Sequence, residues 1–215
     1  MKAYDTYIFD LDGTLLDTLS DLAKSVNHAL AKNGLPLRTK DEIRSFLGNG
    51  VVRLIESSVP DGTSPKVTEA TLADFRSYYL EHSLDETRPF PGITDMLRSL
   101  RARGKNIAIV SNKFYTATQE LARYFFHDII DVAIGEHESE GIKRKPAPDT
   151  ILEAFRQLDV VRDNAVYVGD SEVDILTAKN SGLPCISVLW GFRDKAFLEE
   201  HGATFFAETP QDLLG

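Results

Sequence analysis

The 215-residue sequence predicts an α/β fold: a doubly wound parallel sheet with an all-helical unit inserted after its first strand. Three observations predict it. The run Tyr7-Ile8-Phe9 is apolar and aromatic, as in a strand buried on both faces, and it ends in Asp10-Leu11-Asp12-Gly13-Thr14. Residues 17–87 show helical periods and no strand pattern. From Arg88 onward strand-like and helical stretches alternate, as in parallel strands covered on both faces. The expected organisation is a core of residues 1–16 and 88–215 and a helical insertion of residues 17–87.

The elements follow in order. Gly13-Thr14 breaks the first strand as a loop would. Over residues 18–32, Leu19, Leu22, Val26, Ala29 and Leu30 share one helical face, with Asp17 or Thr18 as N-cap and Asn33-Gly34 as the stop. A second helix starts near Thr39, where Glu42 completes a capping-box pattern. Leu47-Gly48-Asn49-Gly50 interrupts it, and residues 51–58 are helical again. Residues 60–65 form a loop, and residues 67–82 a longer helix rich in aromatics. Pro89-Phe90-Pro91-Gly92 reads as a turn and hinge. Helices are then expected at 93–103, 115–124, 148–158 and 172–180. Strands are expected at 106–111, 130–134, 165–169, 184–189 and, briefly, 204–206.

Composition narrows the function. A net charge of −9 with no basic tract argues against nucleic-acid binding. The short cluster Lys143-Arg144-Lys145 in an acidic chain suggests a small anionic ligand instead. No apolar stretch is long enough to span a bilayer, so no membrane partner is expected. Met1-Lys2-Ala3-Tyr4-Asp5 leads straight into the first strand and leaves no room for a signal peptide. The single Cys185 excludes an internal disulfide and fits a reducing cytoplasm; within its apolar run it reads as a small buried hydrophobe.

The chemistry gathers at strand ends. Asp10 and Asp12 arrive together at the carboxyl end of a buried strand, where open α/β sheets hold ligands. Burying two acids together is costly unless a cation or proton is shared, which suggests a divalent metal, a carboxylate nucleophile and a carboxyl acid/base. Other strand ends offer Ser111-Asn112-Lys113 and Gly169-Asp170-Ser171 with Asp174, and a loop offers Lys145. Singly these have plain readings. Ser111 reads as a loop capper, Asp170 as a helix N-cap, Asp174 as a surface helix residue, and Lys113 as either surface or site.

The set resembles the haloacid dehalogenase superfamily of phosphohydrolases. Asp10-Leu11-Asp12-Gly13-Thr14 matches its first motif, Ser111 the second, Lys145 the third and Gly169–Asp174 the fourth. The resemblance implies a Rossmann-like core with a helical cap inserted after the first motif. It implies Asp10 as nucleophile and Asp12 as acid/base, with Ser111 and Lys145 on the phosphoryl group. Mg2+ would be held by the Asp10 carboxylate, the Asp12 carbonyl and Asp170, with Asp174 orienting its water ligands. Thr14, Asn112 and Lys113 complete the substrate-binding set in the core. In the insertion, Gly48-Asn49-Gly50 and Arg53 are the candidates for choosing the organic part, against the plain reading of a helix-breaking loop.

Leu47–Gly50 with Leu54-Ile55, and Trp190-Gly191-Phe192-Arg193, resemble the phosphoglycolate phosphatase branch. The expected activity is hydrolysis of a small phosphorylated metabolite such as 2-phosphoglycolate, by a monomer or weak dimer. A phosphosugar mutase or pyrophosphatase of the same superfamily is the alternative. Outside enzymes, a receiver-type phosphoacceptor module would use a similar acidic cluster. The insertion begins just past Asp12, so it can close over the site and exclude water.

Overall fold

The computed structural model describes residues 3–215; Met1 and Lys2, read above as part of the lead into the first strand, lie outside the described residues. The chain divides into two compact units, one of residues up to Asp17 with Pro89–Gly215 and one of Thr18–Arg88.

In chain order, β1 (Thr6–Phe9) and the short β2 (Leu16–Asp17) precede four helices: α1 (Leu19–Lys32), α2 (Lys40–Phe46), α3 (Gly50–Ser58) and α4 (Pro65–His82). The chain returns through β3 (Arg88–Pro89), which pairs with β2. There follow α5 (Ile93–Ala102), β4 (Asn106–Phe114), α6 (Tyr115–Phe126), β5 (Val132–Glu136) and α7 (Asp149–Leu158). The last elements are β6 (Ala165–Gly169), α8 (Glu172–Ser181), β7 (Cys185–Val188), α9 (Lys195–Glu200) and β8 (Phe206–Ala207).

The six-stranded sheet has the order β5-β4-β1-β6-β7-β8, every pairing parallel. After β1 the chain builds outward through β4 and β5, then returns to the other side of β1 with β6. That reversal makes the carboxyl end of β1 a topological switch point, the place where such sheets open a crevice. Phe9 lies level with Ile109 of β4 and Val168 of β6, so β1 and β6 end within a residue of each other while β4 runs on to Phe114. All four residues of β1 and all five of β6 are buried, as strands covered on both faces require.

In the helical unit, α1 buries Leu19, Leu22, Val26, Ala29 and Leu30, the face expected from the sequence. The capping box on α2 is present, with the Glu42 N–H on Thr39 Oγ1 at 3.2 Å and the Thr39 N–H on Glu42 Oε2 at 2.7 Å. Asp21, buried in α1, accepts the backbone N–H groups of Glu86 and Thr87 and the Thr87 hydroxyl, tying the start of the unit to its end.

Several elements differ from expectation. β4 runs to Phe114 instead of stopping at Ser111, with its register against β5 shifting between Val110 and Phe114. Ser111-Asn112-Lys113 are therefore strand residues, not loop residues. β5 lies two residues later than expected and continues through Gly135. A Cβ there would stand 2.6 Å from Tyr115 Cα and 2.8 Å from the Lys113 carbonyl oxygen, so only glycine allows this approach. The two-residue β2 and β3 are too short to show a period. The helix α9, capped by Asp194 accepting the Phe197 N–H at 2.8 Å, went unread, and the last strand is Phe206–Ala207.

Candidate active site

Asp10 follows β1 directly, its N–H donating to the Val168 carbonyl at 2.9 Å. The residue is 6% exposed, and Oδ1 lies 2.9 Å from Lys145 Nζ. Lys145 projects from the loop before α7, and its ammonium meets three oxygens: Asp10 Oδ1, Asp174 Oδ1 at 2.8 Å and Tyr167 Oη at 3.0 Å. It donates hydrogen bonds to Asp174 and Tyr167 and meets Asp10 as an ion pair. Burial alone would push Lys145 down, but the Asp10 and Asp174 charges outweigh it and hold the group above the ordinary lysine value.

Asp174, in the first turn of α8, is fully buried. Its Oδ2 accepts the Asp170 N–H at 3.2 Å, the Ser171 N–H at 3.1 Å and the Ser171 hydroxyl at 2.6 Å. Its Oδ1 accepts Lys145 and the Tyr167 hydroxyl, the latter at 3.0 Å. These five donors fill its lone pairs. Gly169 makes the fit possible, since a Cβ there would stand 2.3 Å from Asp174 Cγ.

Asp170 is held from the other side. Oδ1 accepts the Thr14 hydroxyl at 3.2 Å and Oδ2 the Phe192 N–H at 2.7 Å. Gly13, in the left-handed region at φ +83°, and Gly191 press against it: a Cβ on either would come within 2.3 Å of an Asp170 atom. The Trp190 indole N–H donates to the Thr14 carbonyl at 2.9 Å and closes the same loop.

Asp12, a fifth exposed at its side chain, meets Lys113 Nζ with both oxygens, at 3.0 and 3.1 Å. Asn112 Nδ2 donates to the Lys145 carbonyl at 3.0 Å, and Ser111 Oγ accepts the Lys113 N–H at 3.3 Å.

Carboxylate oxygens of Asp10, Asp170 and Asp174 lie within 4.8 Å of one another, all three residues buried. Burial, with Lys145 opposing and Asp174 and Asp12 reinforcing, pushes the Asp10 carboxyl up to about 7. Burial, then the charges of Asp174 and Asp10, push Asp170 well above the usual carboxylate range. One ammonium does not balance three buried acids, and the donors are hard oxygens, so the cluster fits a divalent oxygen-loving cation. Asp174 has its lone pairs filled, whereas Lys145 is the only ion-pair partner of Asp10 among the described residues. Asp10 and Asp170 are thus the carboxylates suited to hold the ion.

Asp10, Asp12, Thr14, Ser111, Asn112, Lys113, Lys145, Asp170 and Asp174 all belong to the unit containing the sheet. Gly48, Asn49, Gly50 and Arg53 belong to the helical unit, where Asn49 is the N-cap of α3 and Arg53 pairs with Glu56 at 3.2 Å on the exposed surface. Sequence reasoning named Ser171 among the polar strand-end residues without giving it a role, and missed Tyr167 and the Phe192 N–H. The signal for Tyr167 was a hydroxyl in an otherwise apolar strand, three residues before Asp170.

Residues 7–188 match the model of the haloacid dehalogenase-like hydrolases. Phosphoglycolate phosphatase 1 of Pseudomonas aeruginosa is 32% identical over 96% of this chain and 77% of its own length. The phosphoglycolate phosphatase of Rhodobacter capsulatus is 36% identical over 86% of this chain and 84% of its own. A crystal structure from Lactobacillus delbrueckii subsp. bulgaricus, provisionally assigned as a phosphoglycolate phosphatase, superposes with a TM-score of 0.91 at 38% identity, covering 99% of this chain and 97% of that one. CbbY from Rhodobacter sphaeroides, solved in complex with phosphate, superposes with a TM-score of 0.74 at 25% identity, covering 98% and 96%. The α/β class and its parallel sheet are as the sequence predicted, and the receiver-type module gives way. The chain belongs to the haloacid dehalogenase-like hydrolases, in the phosphoric monoester hydrolase branch of the phosphoglycolate phosphatases.

Proposed function

We propose that this phosphatase hydrolyses a small phosphate monoester of the 2-phosphoglycolate type, with Mg2+ bound, through an aspartyl-phosphate on Asp10. The observation that carries the reading is Asp10 at the end of β1, buried against Lys145, with Asp12 two residues on. Similarity to the phosphoglycolate phosphatases of Pseudomonas aeruginosa and Rhodobacter capsulatus supports the substrate class.

An Asp10 oxygen attacks phosphorus in line while the bond to the leaving oxygen breaks. Asp12 gives that oxygen its proton, then takes one from the water that attacks the phospho-aspartate and releases phosphate. Lys145 lies against Asp10 and offsets charge gathering on the phosphoryl oxygens. Ser111 donates to a phosphoryl oxygen from the end of the same crevice. Asp10, Asp170 and the Asp12 carbonyl would hold Mg2+, which would supply positive charge against the anionic substrate. Asp174 keeps Asp170, Ser171 and Lys145 in register.

The Thr18–Arg88 unit serves as the cap, and Gly48, Asn49, Gly50 and Arg53 select the organic group. The net charge of −9 supports a protein that leaves nucleic acid alone, and the single cysteine supports a reducing cytoplasm as its place of work. No helix among the described residues is long and apolar enough to cross a membrane. We propose a monomer or weak dimer.

The test is a phosphate-release screen over 2-phosphoglycolate, pyrophosphate and sugar phosphates, with and without Mg2+. Turnover of 2-phosphoglycolate dependent on Mg2+ is expected, with kcat of Asp10→Asn down about 10³-fold or more. Full activity in Asp10→Asn refutes the nucleophile, and isomerised hexose phosphate without phosphate release would make the protein a mutase.

A further inference from the structure

We infer that Lys113 is the specificity-determining residue of this site, and that it selects phosphate esters whose leaving group carries a carboxylate on the carbon next to the ester oxygen. This deepens the phosphatase reading above and rests on it.

Lys113 and Lys145 are the two lysines among the buried residues, and they face different parts of the reaction. Lys145 donates to Asp174 and Tyr167 and pairs with Asp10 at 2.9 Å, so its charge belongs to the nucleophile. The Lys113 side chain, 2% exposed, lies instead on both oxygens of Asp12, the group that hands the proton to the leaving oxygen. Its ammonium therefore stands beside the departing group, on the far side of the phosphoryl group from the attack.

A desolvated ammonium discriminates strongly, because water screens it little and a substrate carboxylate can share it with Asp12. A neutral leaving group puts unpaired polar or apolar atoms beside it and gains nothing. A carboxylate one carbon from the ester oxygen reaches the ammonium while the ester oxygen is on Asp12. The reaction balances without any other reactant. The Asp10–phosphorus bond forms, the bond from phosphorus to the leaving oxygen breaks, the Asp12 proton moves to that oxygen, and the 2-hydroxy acid departs with its carboxylate unchanged.

The test compares kcat/KM for 2-phosphoglycolate with that for 2-hydroxyethyl phosphate, a neutral ester of the same length. Pyrophosphate and p-nitrophenyl phosphate are run alongside, in the wild type, Lys113→Met and Lys113→Arg. The wild type is expected to favour 2-phosphoglycolate over the neutral ester by roughly 100-fold or more. Lys113→Met brings that ratio to within about tenfold, and Lys113→Arg restores part of it. A merely structural lysine, or one acting only on Asp12, would lower both esters together and leave the ratio alone; that result overturns the inference. So does a wild-type ratio near one, which needs no variant to fold. Pyrophosphate preferred to 2-phosphoglycolate overturns the carboxylate as the anion selected. Loss of the phosphatase reading itself has a separate signature: no Mg2+-dependent release from p-nitrophenyl phosphate either.

Discussion

Asp174→Asn separates a structural acid from a metal-holding one. The carboxylate accepts five hydrogen bonds in a fully buried position. A carboxamide has one oxygen, and turned toward Asp170 and Ser171 it keeps three of the five. Its NH2 then faces Lys145 Nζ, 2.8 Å away, and both groups are donors. Tyr167 can rotate its hydroxyl to accept, but Lys145 cannot. Breaking a buried charged pair costs about 3–5 kcal/mol when the partner is left alone. Here Lys145 keeps Asp10, and Asp170 is freed from a like charge, so the net loss falls to about 2–3 kcal/mol. For a chain of this size that lowers the melting temperature by about 5–10 °C. Thermal melting by circular dichroism on the metal-free protein reads it directly. Steady-state kinetics on the same sample should show kcat down about 10²-fold, because Lys145, still paired with Asp10, loses the Asp174 contact that fixes its position there. Melting within about 1 °C of the wild type, with kcat intact, would refute the argument that Asp174 organises this network.

Two further outcomes follow from the same site. The folded-state Asp10 value, about 7, lies above its ordinary value of 3.8, so folding favours the neutral acid. That contribution is whole below pH 3.8 and is lost as pH rises through about 7 in the metal-free protein, while a cation held by the ionised form restores it. The stabilisation by Mg2+, read as a melting shift, should therefore be small near about pH 5 and grow to several degrees near about pH 8.5; an equal shift at both would contradict it. Gly191→Ala places a Cβ 2.3 Å from Asp170 Cβ and 2.5 Å from the Gly13 carbonyl oxygen, with no φ strain to confuse the result. It should raise the Mg2+ concentration needed for half-maximal activity by about tenfold or more, measured by Mg2+ titration of phosphate release.

The parts of this molecule legible in the sequence are those with a local signature. An apolar run stopped by two acids gave β1 and its cargo, and the helical period gave the buried face of α1 from Leu19 to Leu30. The capping box at Thr39 and Glu42 needed only residues three apart. What escaped depends on contacts distant in sequence. Tyr167 meets Lys145 from 22 residues away and the Phe192 N–H meets Asp170 across another 22, and neither spacing has a period. The extension of β4 through Lys113 hangs on Gly135, in the neighbouring strand. It also decides what Lys113 is, since a residue taken for part of a loop could as well have pointed to water.

The glycines carry the same lesson further. Gly13 reads from sequence as a turn residue, Gly169 as the end of a strand and Gly191 as part of a loop. In the fold all three are places where a carboxylate needs the room of a missing Cβ: Gly13 and Gly191 flank Asp170, and Gly169 accepts Asp174. Burying acids this closely is unfavourable for the folded chain by itself, as the raised Asp10 and Asp170 values record. Sequence positions that give up side chains in order to bring acids together make sense only if a positive partner repays the repulsion. Lys145 supplies one charge, and the remainder is the electrostatic reason that a divalent cation belongs with this fold.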